Sequence, residues 1–217
     1  LLKGVAIPGK SIVPVESWAY NENVPKYAFD IEKAKDLLEE AGWVDEDGDD
    51  IREKNGTELS FTIMSPDGRY LRDKEISEAI THTWKKVGAE ADTEVLEWGA
   101  FIDRLFAAEF DMIFLGWMQS TLEPAKFMNP LVKTGGRSNF FGYHNPELDK
   151  LLDEGTLTFD EEERKEIYRE AQMVLMDDAG FIPLYNHLGI VAHSSDLKDY
   201  RYSAPRSLDL TKAYMED

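Results

Sequence analysis

The sequence predicts an α/β fold with a central, mostly parallel sheet flanked by helices, and three observations carry that prediction. Between residues 59 and 115 the apolar pattern runs strand, helix, strand, helix, strand, the order of an α/β domain. The run Met112-Ile113-Phe114-Leu115 is apolar without alternation, as a strand covered on both faces is, so it reads as the central strand. Two of the helical stretches stop at a glycine, Gly42 and Gly88, where a left-handed residue ends the turn.

The elements follow in order. Leu1 to Asn23 holds Pro8-Gly9 and Pro14 with no period, so it reads as an extended lead-in. Asp30 caps a first helix whose stripe is Ala34, Leu37, Leu38 and Ala41. Leu59, Phe61 and Ile63 alternate with Ser60, Thr62 and Met64 as a strand, and Pro66-Asp67-Gly68 is turn chemistry. Ile76, Ile80, Trp84 and Val87 mark a second helix. Ala89, Ala91, Thr93 and Val95 mark a second strand, and Trp98, Phe101, Ile102, Leu105 and Phe106 a third helix. Lys133 to Tyr143 reads as loop. Asn145-Pro146 opens a helix that buries Leu148, Leu151 and Leu152. Asp160 with Glu163 opens another, which buries Ile167, Ala171, Val174 and Leu175, with Tyr168 at the margin. Phe181 to Tyr185 and Ile190 to Ala192 read as short strands, and the chain from about Asp196 as irregular. No repeat or linker separates two cores, so 1–217 is taken as one domain.

Composition bounds the rest. The 217 residues are 42% hydrophobic and 12% aromatic, which is globular, and no stretch approaches the roughly 18 apolar residues of a membrane span. The start lacks the basic and apolar regions of a signal peptide, so any leader lies outside this chain. No cysteine is present, which excludes disulfides and thiolate metal sites. A net charge of −19 repels phosphate backbones and argues against nucleic acid as a partner.

Gly116 lets the chain turn, and Trp117, Met118, Gln119, Ser120 and Thr121 leave at the strand's carboxyl end, where open sheets bind ligands. An indole beside three neutral hydrogen-bonding groups suits a ligand pocket; Trp117 as a simple plug of the core fits equally well. Asp45, Asp47 and Asp49 alternate as calcium ligands do, but Asp50 and Gly56 stand where an EF-hand loop has Gly and Glu. A bare solvated turn is therefore preferred over a structural calcium. His82, His144, His187 and His193 share no metal spacing, and no nucleophile elbow is present. No catalytic residue or other cofactor is assigned.

Four stretches carry a family resemblance. They are Asp30 to Trp43 with the acidic loop behind it, Glu97-Trp98-Gly99-Ala100-Phe101, Gly116-Trp117 through Glu123-Pro124, and Asn139 to Asp149 with Glu170-Ala171-Gln172 and Ile182-Pro183-Leu184. In this order they resemble the family 5 extracellular solute-binding proteins, the oligopeptide- and dipeptide-binding components of ABC importers. The resemblance implies a type II periplasmic-binding-protein-like fold, of which this chain is the second, C-terminal lobe, with 1–25 and 196–217 as extended segments near the hinge. It implies no enzyme. The partners would be a missing N-terminal lobe, an ABC permease and a small solute, peptide or oligosaccharide. The location would be extracytoplasmic, periplasmic or lipid-anchored on the outer surface. One departure bears on the solute. Peptide binders of this family usually carry an aspartate three residues after the Gly-Trp tryptophan, pairing with the peptide ammonium. Here that residue is the neutral Ser120, and sugar hydroxyls suit Gln119, Ser120 and Thr121 as well; Glu123 is read as a brace for the loop. Peptide leads as the commoner family role. Readings from other classes are a hydrolase domain using the same crevice and the sensor lobe of a membrane receptor.

Overall fold

The computed structural model describes residues 1–203 and 207–216. In chain order they form β1 (Ala6–Pro8), α1 (Ile31–Glu40), β2 (Glu53–Lys54), β3 (Thr57–Glu58), β4 (Ser60–Pro66), α2 (Asp73–Lys85), β5 (Glu90–Leu96), α3 (Trp98–Ala107) and β6 (Met112–Ile113). Then follow α4 (Pro124–Val132), α5 (Pro146–Leu157), α6 (Glu161–Asp177), β7 (Tyr185–His187), β8 (Leu197–Lys198), β9 (Arg201–Ser203), β10 (Ser207–Asp209) and β11 (Tyr214–Met215). The chain packs as two compact units, Leu1–Leu2 with Tyr27–Gly116 and Lys3–Lys26 with Trp117–Asp217. The sequence pattern, with no linker or repeat, predicts a single core. Two form because α2 and α3 bury their apolar sides with the sheet, whereas α5 and α6 bury theirs with each other.

In the first unit β4 pairs in parallel with β5 on one side and β6 on the other, giving the order β5-β4-β6. Its last four residues, Ile63 to Pro66, are buried. The central strand is therefore β4, which corrects the reading of Met112 to Leu115. Only Met112 and Ile113 join the ladder, and among the described residues they pair on one side. The apolar run reflects side-chain packing, with Phe114 buried and its N–H donating to the Met64 carbonyl, rather than a ladder on both edges. Phe101 and Leu105 of α3 and Ile76 of α2 fill the core. Asp30 caps α1 by accepting from the Lys33 N–H at 3.0 Å. The α1 stripe is shallower than its spacing implies, since no residue of the helix is fully buried and Leu37 is 53% exposed.

The second unit is built on α4, α5 and α6. Asn145 caps α5 with bonds to the Glu147 and Leu148 N–H groups, and Asp160 caps α6 through Glu163. Leu148, Leu152, Tyr168, Ala171 and Leu175 form a sealed core that Ile12, Val13 and Ala19 join. The lead-in is thus part of the fold and not a free extension: β1 pairs antiparallel with β7, and Gln172 grips residues 11–21. Its Oε1 accepts from Ser11 Oγ (2.9 Å) and the Asn21 N–H (3.3 Å), and its Nε2 donates to the Ala19 carbonyl (2.8 Å). Three further readings are corrected. Tyr168, expected at the margin, is fully buried because Gly155 leaves room for its ring. Only Tyr185 of the two proposed strands near 181–192 lies in a strand; Ile190 is exposed and unladdered. The region after Asp196 is not wholly irregular, since β8 pairs with β11 and β9 with β10.

Candidate functional site

Each unit presents one candidate ligand contact. In the first unit the strand order reverses between β5 and β6 across β4, and the crevice outside the carboxyl ends at such a reversal is where open sheets bind ligands. The residues following β4 and β6 meet there. Tyr70 lies so flat on Gly116 that a Cβ at 116 would come 2.5 Å from its ring, and its hydroxyl donates to the Gly116 carbonyl at 3.2 Å. Only glycine fits that position. The Tyr70 ring meets Trp98 edge-on at 6.4 Å and Phe114 at 6.0 Å, and Trp98 stacks on Phe101 at 5.4 Å. Over the Trp98 ring, 4.5 Å from its centroid, lies the exposed guanidinium of Arg69, which makes no ion pair among the described residues. A guanidinium oriented over a ring, with no carboxylate partner among the described residues, has its donors available to an anionic group. Sequence reading missed it by applying the carboxyl-end rule to the 112–115 strand and not to the strand before Pro66-Asp67-Gly68.

In the second unit Trp117 is half-buried against the α5–α6 core, and its Nε1 donates to the Lys126 carbonyl at 3.4 Å. Part of the indole is therefore plug, and what remains open is the rest of the ring. Met118 is 62% exposed, Ser120 and Thr121 are exposed and Gln119 is half-buried. The side chains of Gln119, Ser120 and Thr121 make no hydrogen bond among the described residues, which leaves their donors and acceptors to solvent or ligand. Downstream the loop is tied again, by Ser17 Oγ donating to the Leu122 carbonyl (2.6 Å) and by the Glu123–Arg164 ion pair (2.5 Å). Glu123 braces the loop, as its place before proline implies.

The acidic loop gathers more than the sequence reading named. Carboxylate oxygens of Asp45, Asp47, Asp49 and also Glu53 lie within 4.8 Å of one another. Glu53 joins because Val44 and Glu53 bridge the base of the loop. All four carboxylates also accept N–H groups of their own loop: Gly48 and Asp50 to Asp45, Asp49 to Asp47, Ile51 to Asp49, and Glu46 to Glu53. These bonds account for the clustering without an ion, while the oxygen set is one a hard cation accepts. The histidines sit apart in local contacts, His144 with Thr134 Oγ1 and His193 with the Tyr200 hydroxyl.

Among the described residues no helix is long and apolar enough to cross a membrane. The chain is 31% identical over 198 residues to the oligopeptide-binding protein AppA of Bacillus subtilis, an alignment that covers 88% of this chain and 36% of AppA. The structure of AppA from Bacillus subtilis in complex with a nonapeptide superposes with a TM-score of 0.76 at 28% identity, covering 97% of this chain and 43% of that one. A mannohexaose-bound periplasmic oligopeptide-binding protein from Thermotoga maritima superposes with a TM-score of 0.75 at 26% identity, covering 84% and 37%. The chain thus spans about a third of the length of the curated relative it matches. The profile described as bacterial extracellular solute-binding proteins, family 5 Middle, matches residues 1–139, and the chain belongs to that family.

Proposed function

We propose that this chain is the substrate-binding portion, the C-terminal lobe, of an ABC-importer receptor that captures oligopeptides or similar solutes outside the cytoplasm and delivers them to a membrane permease. It binds and does not catalyse. One observation carries the peptide reading: Arg69, stacked on Trp98 with no carboxylate partner among the described residues, in a chain of net charge −19. An uncompensated cation in so acidic a protein is well suited to a ligand carboxylate, which a peptide has and a neutral sugar lacks. AppA, whose nonapeptide complex this fold matches, supports the same class. Oligosaccharide is the second reading, favoured by the neutral Gln119-Ser120-Thr121 loop and by the mannohexaose-bound relative.

The test uses the full-length receptor that contains this chain. A nonapeptide with free termini, the same peptide amidated at its C-terminus, and mannohexaose are compared by thermal shift. Bound ligand at about a hundred times Kd stabilises the fold by roughly 2.7 kcal/mol. The free peptide should shift the midpoint most, amidation should weaken it, and Arg69→Gln should remove the difference between the two peptides. Trp117→Ala should abolish the shift. A response to none of the three ligands would sink both readings. A mannohexaose shift unaffected by Arg69→Gln would select the sugar.

A further inference from the structure

The Met118–Thr121 span is open, yet its two flanks are fixed, and the downstream fixture is unusual. Glu123 occupies the cap position of α4 but makes no side-chain capping bond. Its carboxylate turns to Arg164 of α6, 41 residues on, with Nη2 to Oε1 at 2.5 Å and Nη1 to Oε2 at 3.4 Å. Arg164 is itself held from three sides. Its Nε donates to the Gly155 carbonyl at 2.8 Å, and its guanidinium lies 5.3 Å from the Trp18 ring centroid and 5.5 Å from that of Tyr168. Both partners are about three-quarters covered, with 25% and 26% of their side-chain surface exposed. A forked, partly shielded pair whose guanidinium also rests against two aromatic rings is geometrically fixed in a way that exposed pairs are not.

We propose that Arg164 is the positioning residue of the binding loop: by gripping Glu123 it sets where Met118–Thr121 stand. The inference rests on the reading of that loop as ligand-binding. The physical requirement is general. Neutral hydrogen-bonding groups discriminate only when their supporting shell holds them still, and a loop ordered beforehand loses less entropy on binding. Trp117, bonded to the Lys126 carbonyl, fixes the upstream end, and Ser17 with Arg164 the downstream one. Four residues remain between.

The test compares Glu123→Gln, which keeps shape and leaves the Arg164–Gly155 bond, with Arg164→Lys, in the full-length receptor. Amide exchange at Lys126, whose N–H donates to the Glu123 carbonyl, should rise about tenfold, the equivalent of one charge-assisted hydrogen bond, while α5 and α6 keep their protection. Affinity for a nonapeptide with free termini should fall by a similar factor, mainly through faster dissociation. Unchanged exchange in Glu123→Gln overturns the proposal whatever the ligand does. Raised exchange with unchanged affinity overturns it too. If Trp117→Ala is then also silent, the fault lies with the loop's assignment rather than with the clamp.

Discussion

The two units solve the problem of holding a candidate ligand contact in opposite ways. In the first, regular backbone does it: a parallel ladder places the ends of β4 and β6 side by side, and Tyr70, Trp98 and Phe114 pack on that frame. In the second, side chains reach across irregular backbone. Gln172 grips residues 11–21, Ser17 grips Leu122 and Arg164 grips Glu123. A ladder fixes position through a repeating pattern, so many residues share the task. Side-chain ties concentrate it in a few atoms, each of which leaves a partner stranded when removed.

The sharpest way to break this comparison is to damage each unit in turn. Phe101→Ala empties a fully buried site in the first unit and removes the ring on which Trp98 stacks, at a cost of about 3–5 kcal/mol. Protection from hydrogen exchange should be lost across β4 and β5 while α5 and α6 stay protected. Uniform loss would show that the units unfold as one. Gln172→Met is expected to cost less, about 2 kcal/mol, because it strands Ser11 Oγ, the Asn21 N–H and the Ala19 carbonyl without opening a large cavity. Its signature is local: limited proteolysis should begin within residues 11–21. Cleavage elsewhere first would mean that these ties do not carry the segment.

The same contrast explains what could be read in the sequence. Period-two and period-3.6 patterns are properties of regular elements, and β4, α2, β5 and α3 were legible from Leu59 to Phe106 with their order intact. Caps were legible at Asp30, Asn145 and Asp160 because short-range chemistry specifies them. Strand rank was not, since an apolar run such as Met112 to Leu115 reports burial and not how many ladder partners a strand has. Nor was α4, whose interior Pro130 is a residue that marks a helix boundary more often than a helix. The loop at 117–121 was placed by chain logic. Its anchors, Ser17 and Arg164, lie 105 and 41 residues from what they hold, and no local pattern encodes that. Arg69 was within reach, being three residues past the end of β4.

A smaller effect tests the acidic loop of the first unit, whose carboxylates accept from their own backbone among the described residues. We expect about 1 mM calcium, the weak end of structural calcium sites, to raise the melting point no more than the same concentration of magnesium does. A calcium-selective shift that Asp47→Asn removes would instead give Asp45, Asp47, Asp49 and Glu53 a structural ion. Both ions should stabilise slightly by screening a surface of net charge −19, and sodium chloride at equal ionic strength should do the same.

The smallest predicted effect belongs to a tie of the second unit. The Tyr143 hydroxyl donates to Asp178 Oδ2 at 2.7 Å, and Asn145, the cap of α5, reaches the same oxygen at 3.4 Å. Burial and then the Asp178 carboxylate push the phenol up to about 12 from its usual 10.0. The folded state therefore holds this proton more tightly than the unfolded chain does. Its stabilisation is complete below pH 10 and is lost as pH rises through 12. Solvent screening keeps the amount small, below about 1 kcal/mol. Tyr143→Phe should flatten the decline of stability between those values and leave the neutral-pH slope unchanged, as read by denaturant midpoints at a series of pH values. Phenylalanine preserves the ring that packs against Gly180, so the comparison isolates the hydroxyl. An identical alkaline decline in both proteins would show that the Tyr143–Asp178 bond is a surface contact with no share in holding the loop at 133–143.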